Sequence, residues 1–154
     1  LCHISDIVHL KDSKLLLTDC LNDKIKMFGQ DYNFQESMAL QGHPWSACAL
    51  CDTEVAVTIP PQKTIQIIGI TDKMLKVRDI RTRLQCWGIA VVKDQLVITT
   101  SGNEHSVLIL DMHGKEIRTV RQNNYQDDQL MKSLYIKPET TNSVIYIPYH
   151  AGNK

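Results

Sequence analysis

Hydrophobic positions along the chain fall into short runs that polar turns separate. No stretch longer than ten residues carries apolar side chains at helical spacing. Three runs occupy matching places and are apolar on both alternating sets: residues 15–18 (LLLT), 55–58 (VAVT) and 96–99 (LVIT). Such runs are typical of strands that are buried on both faces. The pattern therefore predicts an all-β protein.

These runs belong to an internal repeat of 40 to 42 residues. Residues 4–28 align without a gap on residues 44–68, and residues 86–110 form a third copy. Trp45 and Trp87 open the second and third copies at the same position. A partial fourth copy follows, so the predicted repeats span about 1–43, 44–85, 86–131 and 132–154.

Each copy is predicted to contain four short strands. In the first copy the strands are expected near residues 5–10, 14–18, 24–28 and 34–40. Asp12, Asp52 and Asp94 stand between the first two runs of successive copies, where an aspartate suits a tight turn. Four strands in a repeat of this length are typical of a β-propeller blade. The alternative is an all-β sandwich whose segments are similar by accident.

The repeats resemble the NHL-type propeller at the carboxyl-terminal end of tripartite-motif proteins, in particular the divergent invertebrate members. The resemblance rests on residues 12–28, 44–68 and 86–100 and extends over nearly the whole chain. In that family a tryptophan opens the blade, and strands similar to VAVT (55–58) and to KI (24–25) recur. The Asn-His-Leu triplet that names the repeat is absent here, as is the Arg/Lys-rich pattern of the RNA-binding members.

The resemblance implies both a fold and a role. The fold is a β-propeller, six-bladed in the intact protein, of which this chain holds three full blades and part of a fourth. We therefore expect the chain to be a fragment with unpaired end blades. Zinc would be bound only by upstream RING and B-box modules, and oligomerisation would use an upstream coiled coil. The full protein would be a ubiquitin ligase, and this segment would bind a protein substrate or adaptor without catalysing a reaction.

Composition and charge narrow the range of partners. Seventeen Lys and Arg balance seventeen Asp and Glu, which gives a net charge of +0, and 43% of the 154 residues are hydrophobic. This balance argues against a strongly basic nucleic-acid binder and against a polybasic membrane anchor. Five scattered cysteines favour free thiols, and no apolar stretch approaches the roughly 18 residues of a membrane span. We expect a cytoplasmic protein with no membrane contact.

Candidate binding residues lie in the loops that follow the second strand of each copy. The repeat register places these loops on one rim of the propeller, together with the loops before the two tryptophans. Side chains there converge on the central channel. The predicted rim site consists of Lys24, Trp45, Lys63, Trp87, His105 and Lys154. The alternative is that the tryptophans only pack between blades and the charges only solvate the surface.

One basic segment, residues 72–83, is predicted to form the outermost strand of the second copy. Charges on an outer strand protect a sheet edge from pairing with another sheet. The alternative is a patch that contacts phosphates or an acidic partner, which leaves an RNA-binding propeller open. Its basic side chains are Lys73, Lys76, Arg78, Arg81 and Arg83.

Catalytic and metal-binding motifs are weak in this sequence. Cys48 and Cys51 form a C-x-x-C without a second pair, which favours core cysteines over a zinc or redox site. Asp127 and Asp128 are adjacent carboxylates in a polar segment that is expected to be a loop. A further alternative is a metal-dependent hydrolase or lactonase-like propeller with a central divalent ion. Its available ligands would be Asn22, Asp23, Asn103 and Glu104.

Overall fold

The computed structural model of the chain contains three four-stranded antiparallel sheets, which we number in chain order. It describes residues 1–101, 106–121, 137–138 and 145–146. Sheet 1 consists of β1 (Ile4–His9), β2 (Leu15–Asp19), β3 (Lys24–Phe28) and β4 (Phe34–Ala39). Sheet 2 consists of β5 (Ala47–Cys51), β6 (Glu54–Ile59), β7 (Thr64–Ile70) and β8 (Met74–Arg81). Sheet 3 consists of β9 (Gln85–Val92), β10 (Gln95–Ser101), β11 (Ser106–Asp111) and β12 (Glu116–Arg121).

A shorter sheet follows these three. It pairs β13 (Lys137–Pro138) with β14 (Ile145–Tyr146), and β13 lies beside β9. The predicted all-β fold, with three full blades and part of a fourth, is therefore confirmed. The helical content of the described ranges consists of single 3-10 turns, at Lys11–Ser13, Cys20–Asn22 and Pro60–Gln62. No helix in those ranges is long and apolar enough to cross a membrane.

Tight turns join the first two strands of the sheets, as the aspartates predicted. In sheet 1 Asp12 and Ser13 have φ values of 59° and 57°, and in sheet 3 Lys93 and Asp94 have values of 49° and 56°. In sheet 3 these two residues form the whole loop between Val92 and Gln95, which is the pattern of a type I′ hairpin turn. In sheet 1 they belong to a three-residue loop, Lys11–Ser13. Aspartate tolerates a positive φ better than most residues with a side chain.

The hydrophobic core lies between successive sheets. One face of sheet 1 packs against sheet 2 through aliphatic side chains that include Leu16, Ile25 and Met27. The positions 40 residues later, Ala56, Ile65 and Ile67, pack in the same way against sheet 3. The second strand of sheet 2 therefore has a core on each side, which is why residues 55–58 are apolar at nearly every position.

Threonines near the ends of the second strands connect neighbouring sheets. Thr58 Oγ1 donates a hydrogen bond to the backbone oxygen of Trp87 at 2.7 Å, and Thr18 Oγ1 lies 3.3 Å from the backbone oxygen of Trp45. Thr58 Oγ1 also accepts from the backbone N–H of Ser46 at 3.0 Å. Thr99 occupies the matching place in sheet 3 and accepts from the N–H of Gly88 at 2.8 Å. Each threonine thus fixes the backbone at the start of an inner strand.

The outer strands also contact the last turn of the next sheet. Arg78 Nη2 on β8 donates to the backbone oxygen of Met112 at 2.9 Å. Asp111 Oδ1 holds that turn by accepting from the backbone N–H groups of His113 and Lys115, both at 2.9 Å. A Cβ atom at Gly114, whose φ is +94°, would lie 2.4 Å from Ile80 Cγ2 on β8. The close approach of the two sheets therefore requires a glycine at this turn.

Candidate functional site

One rim of the molecule carries both the starts of the inner strands and the turns after the second strands. The backbone N–H of Trp45 donates to the backbone oxygen of Thr58 at 2.9 Å. The backbone N–H of Cys20 donates to the backbone oxygen of His3, also at 2.9 Å. The N–H of Thr82 reaches the oxygen of Lys63 at 2.9 Å, which brings the end of an outer strand to the same turn. The described loops therefore share one rim, as the repeat register predicted.

Three aromatic side chains from successive sheets lie in a row on this rim. The rings of Trp45 and Trp87 meet edge to face, with centroids 5.0 Å apart and planes at 79°. The ring of His3 stands at 80° to Trp45, with centroids 6.5 Å apart. We call these three residues the aromatic row. Both tryptophans are half-buried.

The two rim lysines within the described ranges are exposed and belong to different sheets. Lys24 begins β3, and Lys63 ends the 3-10 turn Pro60–Gln62 with a φ of 51°. The structure thus places four predicted rim residues on one side and brings Trp45 and Trp87 into contact. His105 and Lys154 lie outside the described residues. Whether this rim binds a partner stays a prediction.

His3 is the member of the row that the sequence analysis missed. The spacing of 42 residues that relates Trp87 to Trp45 also relates Trp45 to His3. The gapless alignment of the first two copies instead matched Trp45 to Ser5. β1 has an irregularity between Ile4 and Asp6, which offsets the start of the strand against its neighbours. The spacing of 42 residues between His3 and Trp45 was therefore the signal in the sequence that could have identified His3.

A buried charged pair lies next to the aromatic row in sheet 1. The carboxylate of Asp19 is fully buried, and its Oδ2 lies 2.5 Å from Lys26 Nζ and 2.8 Å from Asn22 Nδ2. Cys2 Sγ and the backbone N–H of His3 also donate to this carboxylate, at 3.1 and 3.2 Å. Burial works to raise the pKa of Asp19, but these hydrogen bonds together hold that pKa well below its usual range. The cluster anchors residues 1–3 and so positions His3.

Acid should remove the stabilisation that Asp19 provides. Because the pKa of Asp19 is lowered in the folded chain, this stabilisation is complete above the pKa of an aspartate in the unfolded chain, about 4. It is lost as the pH falls below that value. We expect Asp19→Asn to be less stable than the wild type at neutral pH, and the difference to narrow below about pH 4. Urea unfolding between pH 7 and pH 2 measures this.

The matched variant for this experiment is Asp52→Asn. Asp52 makes an ion pair with Lys11 in which both side chains are more than half exposed. Exposed pairs of this kind contribute little to stability, so the variant should follow the wild-type curve. A gap between wild type and Asp19→Asn that stays constant down to pH 2 would show that folding does not lower the pKa of Asp19.

The basic segment lies where the sequence placed it, on the outermost strand of sheet 2. Most of its cations have partners within the chain. Lys76 Nζ is 2.7 Å from Asp79, Arg81 Nη1 donates to Thr64 Oγ1 at 3.0 Å, and Arg83 Nε is 3.6 Å from Glu116. Arg78, besides its bond to sheet 3, stands 3.8 Å from Glu54. These contacts are typical of a protected sheet edge rather than of cations held free for phosphate.

Lys73, the remaining cation of that segment, lines an open pocket of about 430 Å³ between sheets 1 and 2. Lys14 and Glu36 line the same pocket. Its two carboxylates, Glu36 and Asp72, balance its two ammonium groups, so the pocket has no excess of positive charge.

The five cysteines are free thiols, as predicted, but they differ in environment. Cys48 packs against the core between sheets 2 and 3, and burial raises the pKa of its thiol to about 12. Cys51 is exposed, and hydrogen bonds from Thr53 lower the pKa of its thiol. The prediction of a core cysteine was therefore wrong for Cys51, because β5 becomes irregular after Ala49 and Cys51 falls at the edge of the hairpin turn.

The two proposed ligands of a central metal ion that are described differ in their partners. Asn22 Nδ2 donates to Asp19 and to the backbone oxygen of Leu1. Asp23 Oδ1 lies 2.8 Å from His43 Nδ1 but makes no hydrogen bond to any residue that the structure describes, because that nitrogen is hydrogen-bonded to the backbone oxygen of Cys20. Asn103 and Glu104 lie outside the described residues, as do Asp127 and Asp128. Within the described ranges, no three His, Cys, Asp or Glu side chains gather as a metal site would require.

A groove of about 280 Å³ lies where the inner strands β1, β5 and β9 meet. Its wall is mostly aliphatic, with Asp6, His9 and Cys48 as the polar or ionisable members. Asp6 Oδ2 accepts hydrogen bonds from Ser46 Oγ at 2.7 Å and from the N–H of Ala47 at 3.0 Å. These bonds join sheets 1 and 2 at the wall of this groove.

No family model and no curated protein sequence matches the chain. Solved structures do match it. A virginiamycin B lyase from Staphylococcus aureus is 15% identical, with a TM-score of 0.68 over 92% of this chain and 47% of its own. A 6-phosphogluconolactonase-like protein from Bacteroides uniformis is 10% identical, with a TM-score of 0.72 over 94% of this chain and 46% of its own. A glutaminyl cyclase from Myxococcus xanthus is 9% identical, with a TM-score of 0.63 over 78% and 51%.

At these identities the likeness shows the fold alone. The chain has a β-propeller fold, and it spans about half the length of the solved structures that it matches.

Proposed function

We propose that this chain is a protein-binding propeller segment that recognises its partner through the rim bearing the aromatic row. The single observation that carries the proposal is the edge-to-face contact of Trp45 and Trp87, half-buried on the rim of two adjacent sheets. Tryptophan is among the residues that contribute most to protein interfaces, because a fixed ring presents a large contact area at little cost in conformational entropy. The exposed Lys24 and Lys63 add polar contacts on the same rim.

The resemblance to NHL-type propellers extends this proposal to the intact protein. There the segment would be the substrate-recognition region of a tripartite-motif ubiquitin ligase, with no catalysis in the segment itself. Deleting residues 1–154 from such a ligase should abolish ubiquitination of the substrate and leave autoubiquitination intact. Loss of both activities would argue against a separable recognition role.

Two charge-reversal variants test the rim directly. The rim double variant is Lys24→Glu with Lys63→Glu, and the matched edge double variant is Lys73→Glu with Lys76→Glu on sheet 2. Both change the same number of exposed charges. We expect partners captured by the immobilised wild-type chain to bind the rim variant at least about tenfold more weakly and the edge variant nearly unchanged. Affinity measured with one identified partner gives the comparison.

The opposite ranking of the two variants would move the interface to β8 and overturn the rim proposal. Ribonuclease treatment during capture separates the RNA-binding alternative, because partners held through RNA are lost with it. The intrachain contacts of Arg78, Arg81 and Arg83 favour the protein-binding proposal over that alternative. The names of two structural matches suggest a lyase or lactonase activity as a further alternative. Such an activity would use the groove at Asp6 and His9, so Trp45→Ala would leave the activity unchanged.

A further inference from the structure

The open pocket of about 430 Å³ between sheets 1 and 2 lies at the opposite end of the strands from the aromatic row. Lys14, Asp72 and Lys73, which line it, belong to turns that join the first strand to the second or the third to the fourth. In an antiparallel sheet these turns lie at the other end from those that join the second strand to the third, which form the rim. The volume is within the range of about 300–1,000 Å³ that is usual for small-molecule sites.

The repeat explains why this pocket opens between sheets 1 and 2. In the last turn of sheet 3, Gly114 lies so close to the outer strand of sheet 2 that a Cβ atom there would be 2.4 Å from Ile80 Cγ2. The position 42 residues earlier, in the last turn of sheet 2, is Asp72, and its side chain lines the pocket. A residue with a side chain cannot take the close position of Gly114, so space is left between these two sheets.

A polar side chain on the outer strand reaches the next sheet in both places, but with opposite chemistry. Glu36 on β4 takes the place that Arg78 has on β8, 42 positions later. Arg78 Nη2 donates to the backbone oxygen of Met112 at 2.9 Å, whereas Glu36 Oε2 accepts from the backbone N–H of Met74 at 2.9 Å. Glu36 thus brings a fixed carboxylate to the wall of the pocket.

The other charged groups of the pocket are available to a ligand. Among the residues that the structure describes, the side chains of Lys14, Lys73 and Asp72 form no ion pair and no hydrogen bond with one another or with a neighbour. Met27, which is 2% exposed, supplies an apolar part of the lining. The pocket therefore offers two ammonium groups, a free carboxylate and an apolar wall within one small volume.

These groups define the chemistry of the ligand. A simple anion would be attracted by the lysines but repelled by Glu36 and Asp72, and a simple cation would meet the reverse arrangement. A molecule with one group of each sign can pair with both kinds at once. We propose that the pocket binds a free α-amino acid, with its carboxylate held by Lys14 and Lys73 and its ammonium group held by Asp72. This binding does not depend on which partner the rim recognises.

NMR titration of the isotopically labelled chain tests the proposal, with L-leucine, L-glutamate and L-lysine as separate probes. We expect at least one of them to bind with a dissociation constant of about 1 mM or lower. The backbone signals of Asp72 and Lys73 should shift, and those of Lys24 and Lys63 on the rim should not. Acetate and methylammonium, which each carry a single charge, should bind at least about tenfold more weakly.

Variants then assign the binding to these side chains. Lys73→Met and, separately, Asp72→Asn should each weaken binding of the amino acid at least about tenfold. The matched control is Lys115→Met, because Lys115 is an exposed lysine 42 positions later, in the corresponding turn of sheet 3. It should bind like the wild type. All three positions are exposed, so circular dichroism should show unchanged strand content.

Three results would overturn the proposal. The first is that none of the three amino acids binds at concentrations up to about 20 mM. The second is that acetate binds as tightly as the amino acids, which would mean that the lysines hold any carboxylate. The third is equal weakening by Lys115→Met and Lys73→Met, which would show attraction by the general charge of the chain and not by this pocket.

Discussion

Replacing Gly114 by alanine should destabilise the chain more than the same change at Gly29 or Gly42, the other glycines of its described turns. The new Cβ would lie 2.4 Å from Ile80 Cγ2, well inside van der Waals contact, and the φ of +94° is unfavourable for a residue with a side chain. Overpacking costs about 1–3 kcal/mol and the backbone conformation about 1–2 kcal/mol. We expect a loss of about 2–5 kcal/mol in the free energy of unfolding, measured by urea denaturation.

Two further variants show whether the cause is the contact between sheets. Gly29→Ala adds the same methyl group, but its closest neighbour is the amide of Gln35, the flexible end of a side chain, so we expect little change. Ile80→Ala removes the methyl groups that the new Cβ would meet. The double variant Gly114→Ala with Ile80→Ala should therefore lose less than the sum of the two single changes. If the losses of the two single variants simply add, the cost of Gly114→Ala comes from the backbone conformation of the turn and not from the contact with Ile80.

The second large effect is expected for Thr58→Val, which keeps the shape of the side chain and removes its hydroxyl group. Thr58 Oγ1 donates to the oxygen of Trp87 and accepts from the N–H of Ser46, and both of these backbone groups would lose that partner. An unsatisfied buried group costs about 1–3 kcal/mol. We expect a loss of about 3 kcal/mol and a melting temperature lower by about 10 °C for a chain of this size.

Thr71→Val is the control for this change. Thr71 is exposed in the turn before β8, where its hydroxyl group lies 3.4 Å from the backbone oxygen of Lys73. Surface substitutions of this kind usually alter stability by less than about 0.5 kcal/mol. Equal losses for the two variants would mean that valine lowers strand stability generally and that the link between sheets contributes nothing measurable.

Much of the fold could be predicted because the repeat constrains it at many positions at once. Runs such as residues 55–58 are apolar on both faces and therefore predict a core on each side of the strand. The aspartates at 12 and 94 predict tight turns, because aspartate tolerates a positive φ. The spacing of about 40 residues then leaves room for four strands and little else. No single position would have been enough to predict the fold, but the matching pattern in several copies was.

The candidate site was harder to predict, because it depends on contacts between copies rather than on features within one copy. The contact of Trp45 with Trp87 was not visible in the sequence, although their equivalent positions were. His3 was missed because the gapless alignment matched Trp45 to Ser5, and the start of β1 is irregular. Asp19 and Lys26 gave no signal, because a buried ion pair at a position that is apolar in the next copy follows no periodic rule.

The threonine links have a consequence for how such a rim could change during evolution. Their acceptors are backbone oxygens of the residues that bear the tryptophan rings, so the location of each ring is set by the main chain and not by the ring itself. A different side chain at Trp45 or Trp87 would keep the same anchorage. The ligand preference of this surface could therefore diverge by single substitutions while the scaffold beneath it stayed as it is.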